Sequence, residues 1–435
     1  MSQGIRLERR LDWVEPLAVA RGVAFREGAL CLLSDGGPNG RFSYVACEPE
    51  ETVAVGMAPQ DPFASLEGRH PGRFTVGLAA YDGGARAATG DRGASAGDWP
   101  DLILAAYASV LVFDHQTQSL SAVGLGQDEA DASAAAERAA SWSREARRAD
   151  KATEAPASAF EPERPDQAYR DAVADVVARI GQGELFQANI ARAWRGKLQP
   201  GADPFAVFAR LADGPAPYGA FWRMGVRALV SNSPELFLPF DPETRRIETR
   251  PIKGTRPRHS DPAQDAASAA ELVASAKDRA ENLMIVDLMR NDLSRVSTPG
   301  SITVERLFAL ESFATVHHLV STVTGRAAEG VEAAQVLSAT FPPGSITGAP
   351  KHRAMQVIAG HEEPRGPWCG SLFLRDDRGV LTASVLIRTV GFWKTGGIWT
   401  YRTLAGAGIV ADSDPDAELA ETDAKIAAVR RALIG

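Results

Sequence analysis

A lysine at the end of a strand and three glutamates at helical spacing are the residues of this chain best suited to chemistry. Lys253 lies in Glu248–Arg258, ETRPIKGTRPR, where a strand runs into a Pro/Gly turn crowded with cations. A neighbouring Arg250 or Arg256, or a bound Mg²⁺, would lower its amine from the usual value of about 10.4, so that neutral amine could attack carbon. Glu281, in KDRAENLMIVDL, shares a helical stripe with Met284, Ile285 and Leu288. A carboxylate on an apolar stripe is costly unless it is paired or metal-bound. Further on, Ser413 or Asp414 can cap a helix whose first turn holds Pro415, with Glu418, Glu421 and Lys425 on one face. Two helices with inward carboxylates and no His or Cys partners suit Mg²⁺, a hard ion that takes oxygen ligands. The same residues also fit a basic loop and two solvated acidic helix faces, and spacing leaves both readings open.

Two glycine-rich segments could approach an anion. Phe341–Lys351, FPPGSITGAPK, lacks the GxxxxGK[ST] spacing of a phosphate loop, since Gly344 precedes Gly348 by four and Pro350 stands before Lys351. ATP is therefore not expected. In Leu404–Ile409, LAGAGI, Gly406 and Gly408 would let backbone N–H groups come close to a carboxylate; a tight strand bend is the alternative.

The elements that must position these groups are short strands with interspersed helices. Strand-like runs fill residues 1–125, an Ala/Glu/Arg-rich stretch over 126–165 predicts a surface helix and a loose connection, and helices alternate with strand pairs from Tyr169 onward. Predicted elements include a helix over Tyr169–Ile180, a strand over Phe186–Trp194, and a strand pair from Ala228–Pro239 and Arg246–Lys253. A long helix over Leu272–Arg295 and strands over Cys369–Arg375, Ala383–Val390 and Trp399–Ile409 follow. The pattern predicts an α+β fold with largely antiparallel sheets. Its expected parts are an N-terminal region (1–150), a linker (151–165) and a catalytic region (166–435) sharing one continuous fold with the first.

Composition narrows the function. The chain has 435 residues, 45% hydrophobic and 23% charged, and a net charge of -8, which argues against a nucleic-acid surface. Cys31, Cys47 and Cys369 are odd in number with no CxxC pair, so a reducing compartment is expected and a disulfide framework is not. No apolar leader or membrane span is evident, and a cytoplasmic location is the expectation.

Taken in order over roughly residues 165–430, the segments SNSPELF, RPIKGTRPR, KDRAENLMIVDLMRNDLSRV, HHLVSTVTG, FPPGSITGAPKHRAM, GPWCGSLF and LAGAGIVADSDPDAELAET resemble the chorismate-utilising enzymes. These are the component I chains of anthranilate and aminodeoxychorismate synthases, and the isochorismate and salicylate synthases. The segments CLLSDGGPNGRFSYVACEP and PDLILAAYASVLVFDH resemble the family's component I leader more loosely. Two positions separate the branches. Gln187 stands where the isochorismate and salicylate synthases carry a lysine base, and Lys253 stands in PIKGT where anthranilate synthases typically read PIAGT.

The resemblance implies a sandwich of antiparallel sheets and amination of chorismate at C4, giving 4-amino-4-deoxychorismate for p-aminobenzoate and folate synthesis. Anthranilate formation is the alternative. It implies Lys253 as a covalent nucleophile at C2, Glu235 as general acid and His318 as an active-site histidine. Arg388, Gly406, Gly408, Thr347, Gly254, Thr255 and Lys425 would contact substrate. Mg²⁺ would sit on Glu281 and Glu418, with Glu421 in support. No GxCxGxQ-like segment is present, so ammonia is expected from a separate glutamine amidotransferase subunit or from free ammonium, and no fused lyase is expected.

Overall fold

In the computed structural model, residues 4–37, 40–56, 61–148, 154–214, 216–313 and 316–435 are described. Residues 151–153, the start of the expected linker, fall outside them. The fold is α+β, built on two large antiparallel sheets. The first sheet runs in space as β1 (Ile5–Leu11), β8 (Ser119–Gly126), β7 (Ser109–Asp114), β3 (Phe42–Ala46), β2 (Leu30–Leu33) and β11 (Tyr218–Met224). It continues with β12 (Arg227–Ser233), β21 (Thr389–Thr395), β22 (Ile398–Ile409), β10 (Gln187–Lys197) and β18 (Gly348–Ala349), and β9 (Glu161–Pro162) also pairs with β10. The second sheet runs β15 (Ile252–Pro257), β17 (Val316–Arg326), β14 (Arg246–Thr249), β13 (Leu236–Phe240) and β20 (Leu381–Val385). It ends with β19 (Ser371–Arg375), β5 (Phe74–Ala79), β6 (Leu102–Tyr107) and β4 (Glu51–Val55), while β16 (Thr303–Ser312) pairs with β17. Both sheets mix strands from the first 125 residues with strands beyond residue 185.

The sheets share an apolar core. Val76, Leu78, Ala105 and Tyr107 of the second sheet cluster with Cys31, Val45, Leu111 and Trp222 of the first, and the buried Trp222 Nε1 donates to Tyr107 Oη at 3.0 Å. Helices cover the outside: α1 (Pro16–Val23), α2 (Tyr81–Thr89), α3 (Glu129–Ser143), α4 (Asp166–Gly181) and α5 (Pro204–Leu211). The others are α6 (Pro262–Ala274), α7 (Ala276–Ser294), α8 (Ala333–Thr340), α9 (Lys351–His361) and α10 (Pro415–Ile434).

Three local features depart from the pattern read in the sequence. The alanine-rich helix α3 is more than a surface element, because Ala132, Ala135, Ala136, Ala139, Ala140 and Trp142 are buried. Its backbone lies so close to β8 that a Cβ on Gly124 would fall 2.1 Å from Ala132 O, and small residues on both elements allow this approach. The long helix expected over Leu272–Arg295 breaks at Ser275, whose extended backbone ends α6 and whose hydroxyl accepts from Asp278 N at 3.2 Å to start α7. Two runs expected as single strands each change sheet in mid-run. Arg227–Ser233 belongs to the first sheet and Leu236–Phe240 to the second, while Leu381–Val385 belongs to the second and Thr389–Thr395 to the first. Pro234 and Pro251 interrupt strands at their breaks, where a missing N–H cannot continue a ladder.

Candidate active site

The two changes of sheet run side by side and carry two of the expected site residues. Ser233 Oγ donates to Val385 O at 2.5 Å, Val385 N to Glu235 O at 3.1 Å, and Asn232 N to Arg388 O at 3.1 Å. Glu235 and Arg388 therefore sit where the sheets exchange strands, in backbone that cannot be regular. Arg388 adopts a left-handed conformation (φ 51°), which aims its side chain off the strand path.

Glu235 is buried, and burial pushes its carboxyl above the ordinary carboxylate value, opposed by a hydrogen bond from Ser345 and by the charges of Lys253 and Lys425. Lys253, at the second position of β15, shows the complementary shift. Burial lowers its amine, Lys425 lowers it further, and Glu281 and Glu235 oppose the change. The residue as a whole is only partly buried, although its amine is desolvated. The expected cause was different: Arg250 or Arg256 was to depress it. Arg250 instead pairs with Glu311, and Arg256 pairs with Glu271 at 2.9 Å and Asp278 at 3.1 Å, so their charges are met locally. Desolvation does the work that the arginines were expected to do.

Gly406 and Gly408 lie on β22 opposite Ala191 and Asn189 of β10. A Cβ on Gly408 would fall 2.6 Å from Gln187 Nε2 and 3.6 Å from Lys253 Nζ, which locates the lysine beside this strand. A Cβ on Gly406 would meet Ile190 O at 2.7 Å and Asn189 Oδ1 at 2.8 Å. Gln187 is fully buried, yet neither its amide nitrogen nor its oxygen has a hydrogen-bond partner among the described residues. Such groups are rare in folded proteins, and here they mark the polar lining of the site.

His318, on β17, shares a hydrogen bond of 2.9 Å between Nδ1 and Thr255 Oγ1, and its ring meets Phe313 edge-on. Burial pushes its imidazole down to about 4, against a hydrogen bond to the Gly254 backbone and with help from the charge of Arg388. It is thus neutral at physiological pH. Gly254 has φ 84°, and a Cβ there would come 2.8 Å from Leu272 and 3.0 Å from Asp278. The Arg388 side chain has no hydrogen-bond or ion-pair partner among the described residues; solvent reaches the residue, although burial of the guanidinium lowers its pKa. Thr347 is buried with its hydroxyl donating to Pro343 O or Gly344 O, so that it ties down its own loop.

The glutamates divide. Glu281 on α7 is mostly covered, and burial raises its carboxyl with Asp278 and Glu418 adding to the effect, while Lys253 and Lys277 oppose it. Its nearest lysine, Lys277, stands 4.0 Å away. Glu418 is buried at the start of α10, accepts from Ser413 Oγ at 2.7 Å, and is also raised by burial. Glu421 is exposed and paired with Lys425 at 2.6 Å, while Lys425 Nζ also donates to Gly406 O at 3.0 Å. Among the described residues no three His, Cys, Asp or Glu side chains stand together as a metal-holding group. Two desolvated carboxylates in electrostatic contact nevertheless fit Mg²⁺, which takes one or two protein carboxylates and completes its shell with waters and substrate oxygens.

Sequence reasoning passed over three supporting groups. Ser345, in the Gly344–Ile346 turn, holds Glu235. Lys351 closes the same loop by donating to Asp292 at 2.6 Å, Pro342 O at 2.9 Å and Thr340 O at 3.0 Å, so its amine is engaged within the fold. Arg365 and Glu362 form a buried ion pair behind β10. The one available signal was charge in the otherwise apolar run PRGPWCGSLF. Two shallow cavities lie away from Lys253, one between Tyr44 and Leu374 and one beneath α4. The site is recognised by convergent polar groups rather than by concavity. No helix among the described residues is long and apolar enough to cross a membrane.

Residues 35–431 match the model of the chorismate binding enzymes. Aminodeoxychorismate synthase component 1 of Salmonella typhimurium is 40% identical over 329 residues, covering 75% of this chain and 69% of that protein. Anthranilate synthase component 1 of Aeropyrum pernix is 33% identical over 443 residues, covering 98% and 95%. Among solved structures, anthranilate synthase component I of Streptococcus pneumoniae superposes with a TM-score of 0.77 at 25% identity, covering 92% of this chain and 94% of that one. The menaquinone-specific isochorismate synthase of Escherichia coli shares the fold with a TM-score of 0.76 at 18% identity, covering 99% and 94%.

Proposed function

Because the chain belongs to the chorismate binding enzyme family, we propose that it is component I of an aminodeoxychorismate synthase, replacing the C4 hydroxyl of chorismate with ammonia. One observation carries this reading: a desolvated lysine amine beside β22 lies within electrostatic reach of a buried carboxyl, each acting on the other. Burial disfavours the charged form of each, which is the direction a nucleophilic amine and a general acid require. Lys253 Nζ adds at C2, both ring double bonds shift, C1=C2 to C1=C6 and C5=C6 to C4=C5, and the C4–O bond breaks as Glu235 gives its proton to the departing hydroxyl. Ammonia then bonds to C4, both double bonds return to their first positions, and the C2–N bond breaks to release Lys253, with the proton surplus on nitrogen passing back to Glu235. Atoms and charge balance, and water is the by-product.

Arg388, whose side chain has no hydrogen-bond or ion-pair partner among the described residues, supports a role in holding a substrate carboxylate. Glu281 and Glu418 would hold Mg²⁺, which when bound supplies charge neutralisation for the ring carboxylate. His318, neutral and fixed by Thr255, would donate or accept one hydrogen bond. A separate glutaminase subunit would supply the ammonia. A second reading, anthranilate synthase component I, has the nearly end-to-end match with the Aeropyrum pernix protein in its favour; Lys253 argues against it. The test is incubation of the purified chain with chorismate, Mg²⁺ and ammonium. Aminodeoxychorismate is the expected product, and anthranilate would overturn the proposal.

A further inference from the structure

The edge of β10 is only partly covered by strands. Gln187 and Ala188 pair with β18, and Trp194 and Arg195 pair with β9. Between them Asn189 N donates to Thr347 O at 2.9 Å, but Asn189 O and Ala191 N have no strand to meet. Two side chains fill the gap. Arg365 Nη2 donates to Asn189 O at 2.6 Å, and Glu362 Oε1 accepts from Ala191 N at 2.8 Å. The two residues bind each other through Nε to Oε2 at 2.8 Å and Nη2 to Oε1 at 2.9 Å. Arg365 Nη1 reaches Ile346 O at 3.3 Å, so the guanidinium joins β10 to the loop that carries Ser345. It is held between the rings of Tyr81 and Trp368, at 4.5 and 5.0 Å from their centroids, and is almost fully buried.

A buried ion pair is a poor source of stability, because desolvation cancels most of its attraction. What this pair provides is register. We propose that Arg365 and Glu362 act as positioning residues, a side-chain substitute for a strand that fixes Gln187 on β10 and Ser345 on the loop relative to Glu235 and Lys253. The proposal rests on the reading above only for the identity of the reaction. Arg365 touches no reacting atom; it acts through Ile346 O on the adjacent Ser345, which bonds Glu235. Glu235 is faced by Lys253, Lys425 and Ser345, so loss of the Ser345 bond removes one of three influences that hold its pKa down.

The test uses Arg365→Lys in the full chain. Lysine keeps the charge but cannot bond Glu362 twice while bridging both carbonyls. The expected result is retained melting behaviour, a kcat lower by on the order of 10–100-fold and a KM changed by less than about threefold. The limb of the pH–rate profile that Glu235 governs, identified by its absence in Glu235→Gln, should move to higher pH by roughly half a unit or more. Ser345→Ala should move the same limb, and the double variant should move it no further. Should Arg365→Lys fail to fold, Glu362→Asp retracts the carboxylate by one methylene with its charge intact and carries the same expectations. An unmoved limb, additive shifts, or a loss explained by a smaller active fraction would overturn the positioning role. All rates are read as chorismate consumed, so anthranilate as the wild-type product would sink the functional proposal and leave this one standing or falling on its own results.

Discussion

Gly408→Ala tests the arrangement around Lys253 with a single methyl group. The new Cβ would lie 2.6 Å from Gln187 Nε2 and 3.2 Å from its Cδ, closer than carbon tolerates, while remaining at ordinary contact distance, 3.6 Å, from Lys253 Nζ. The clash falls on the end of a flexible side chain, so the strand pairing of Asn189 with Gly408 can persist. Gln187 is fully buried, however, and must be pushed into neighbouring atoms. Overpacking of this kind costs about 1–3 kcal/mol. If the displacement is felt in the transition state, that converts to roughly 5- to 150-fold in kcat/KM. The assay is steady-state chorismate consumption at saturating ammonium and Mg²⁺, with thermal melting alongside. Gly181→Ala, at the end of α4 with nothing within 4 Å of the added carbon, is the control and should leave both unchanged. Wild-type kcat/KM in Gly408→Ala would refute the placement of Gln187 and Lys253 about β22.

Lys253→Ala should lose product formation by at least roughly a thousandfold while keeping Mg²⁺-dependent chorismate binding by calorimetry; unchanged turnover would end the covalent route. Glu281→Gln should raise the Mg²⁺ concentration for half-maximal activity by about tenfold or more, and an unshifted titration would remove Glu281 from the metal site. His318 gives a pH signature in stability. Its folded pKa is depressed from 6.5 to about 4, so between those values the unfolded chain binds more protons, and stability is lost as pH falls through that window. The loss is at most about 3 kcal/mol. His318→Asn should flatten the melting temperature between pH 6.5 and 4, and an identical acid slope in variant and wild type would show that the ring is not the cause.

The candidate site residues could be named because each lies in a local motif, and the helices that carry Glu281 and Glu418 fall where the sequence predicts helix. Lys253 and the carboxylates of α7 and α10 could be picked out as candidates, since spacing left a bland reading open and the ordered family motifs favoured the functional one. Their surroundings could not. Ala228–Pro239 and Ala383–Val390 each read as one strand-forming run with no long turn inside, so the sequence does not reveal that each segment leaves one sheet for the other near Glu235 and Arg388. Arg250 and Arg256 looked like partners for Lys253 by proximity in sequence, whereas β16 and the helices α6 and α7 bring acids to meet them. Burial by distant elements, which moves the Lys253 amine most, has no local signal at all. Arg365 was missed for the same reason: its partners at Asn189, Ile346 and Tyr81 lie far from it in sequence.

The interleaving of early and late strands has a consequence for biosynthesis. β5 finds a neighbour in β6 as soon as both are made, but its other edge waits for β19, where Ala79 pairs with Ser371 roughly 290 residues later. β2 likewise waits for β11, and β12 for β21. A nascent chain must therefore carry exposed apolar sheet edges through most of translation, the circumstance in which aggregation competes with folding. Such non-local pairing also predicts slow refolding. The site is assembled last, because β22, which brings Gly408 beside Lys253, is the final strand to emerge, and α10 with Glu418 follows it.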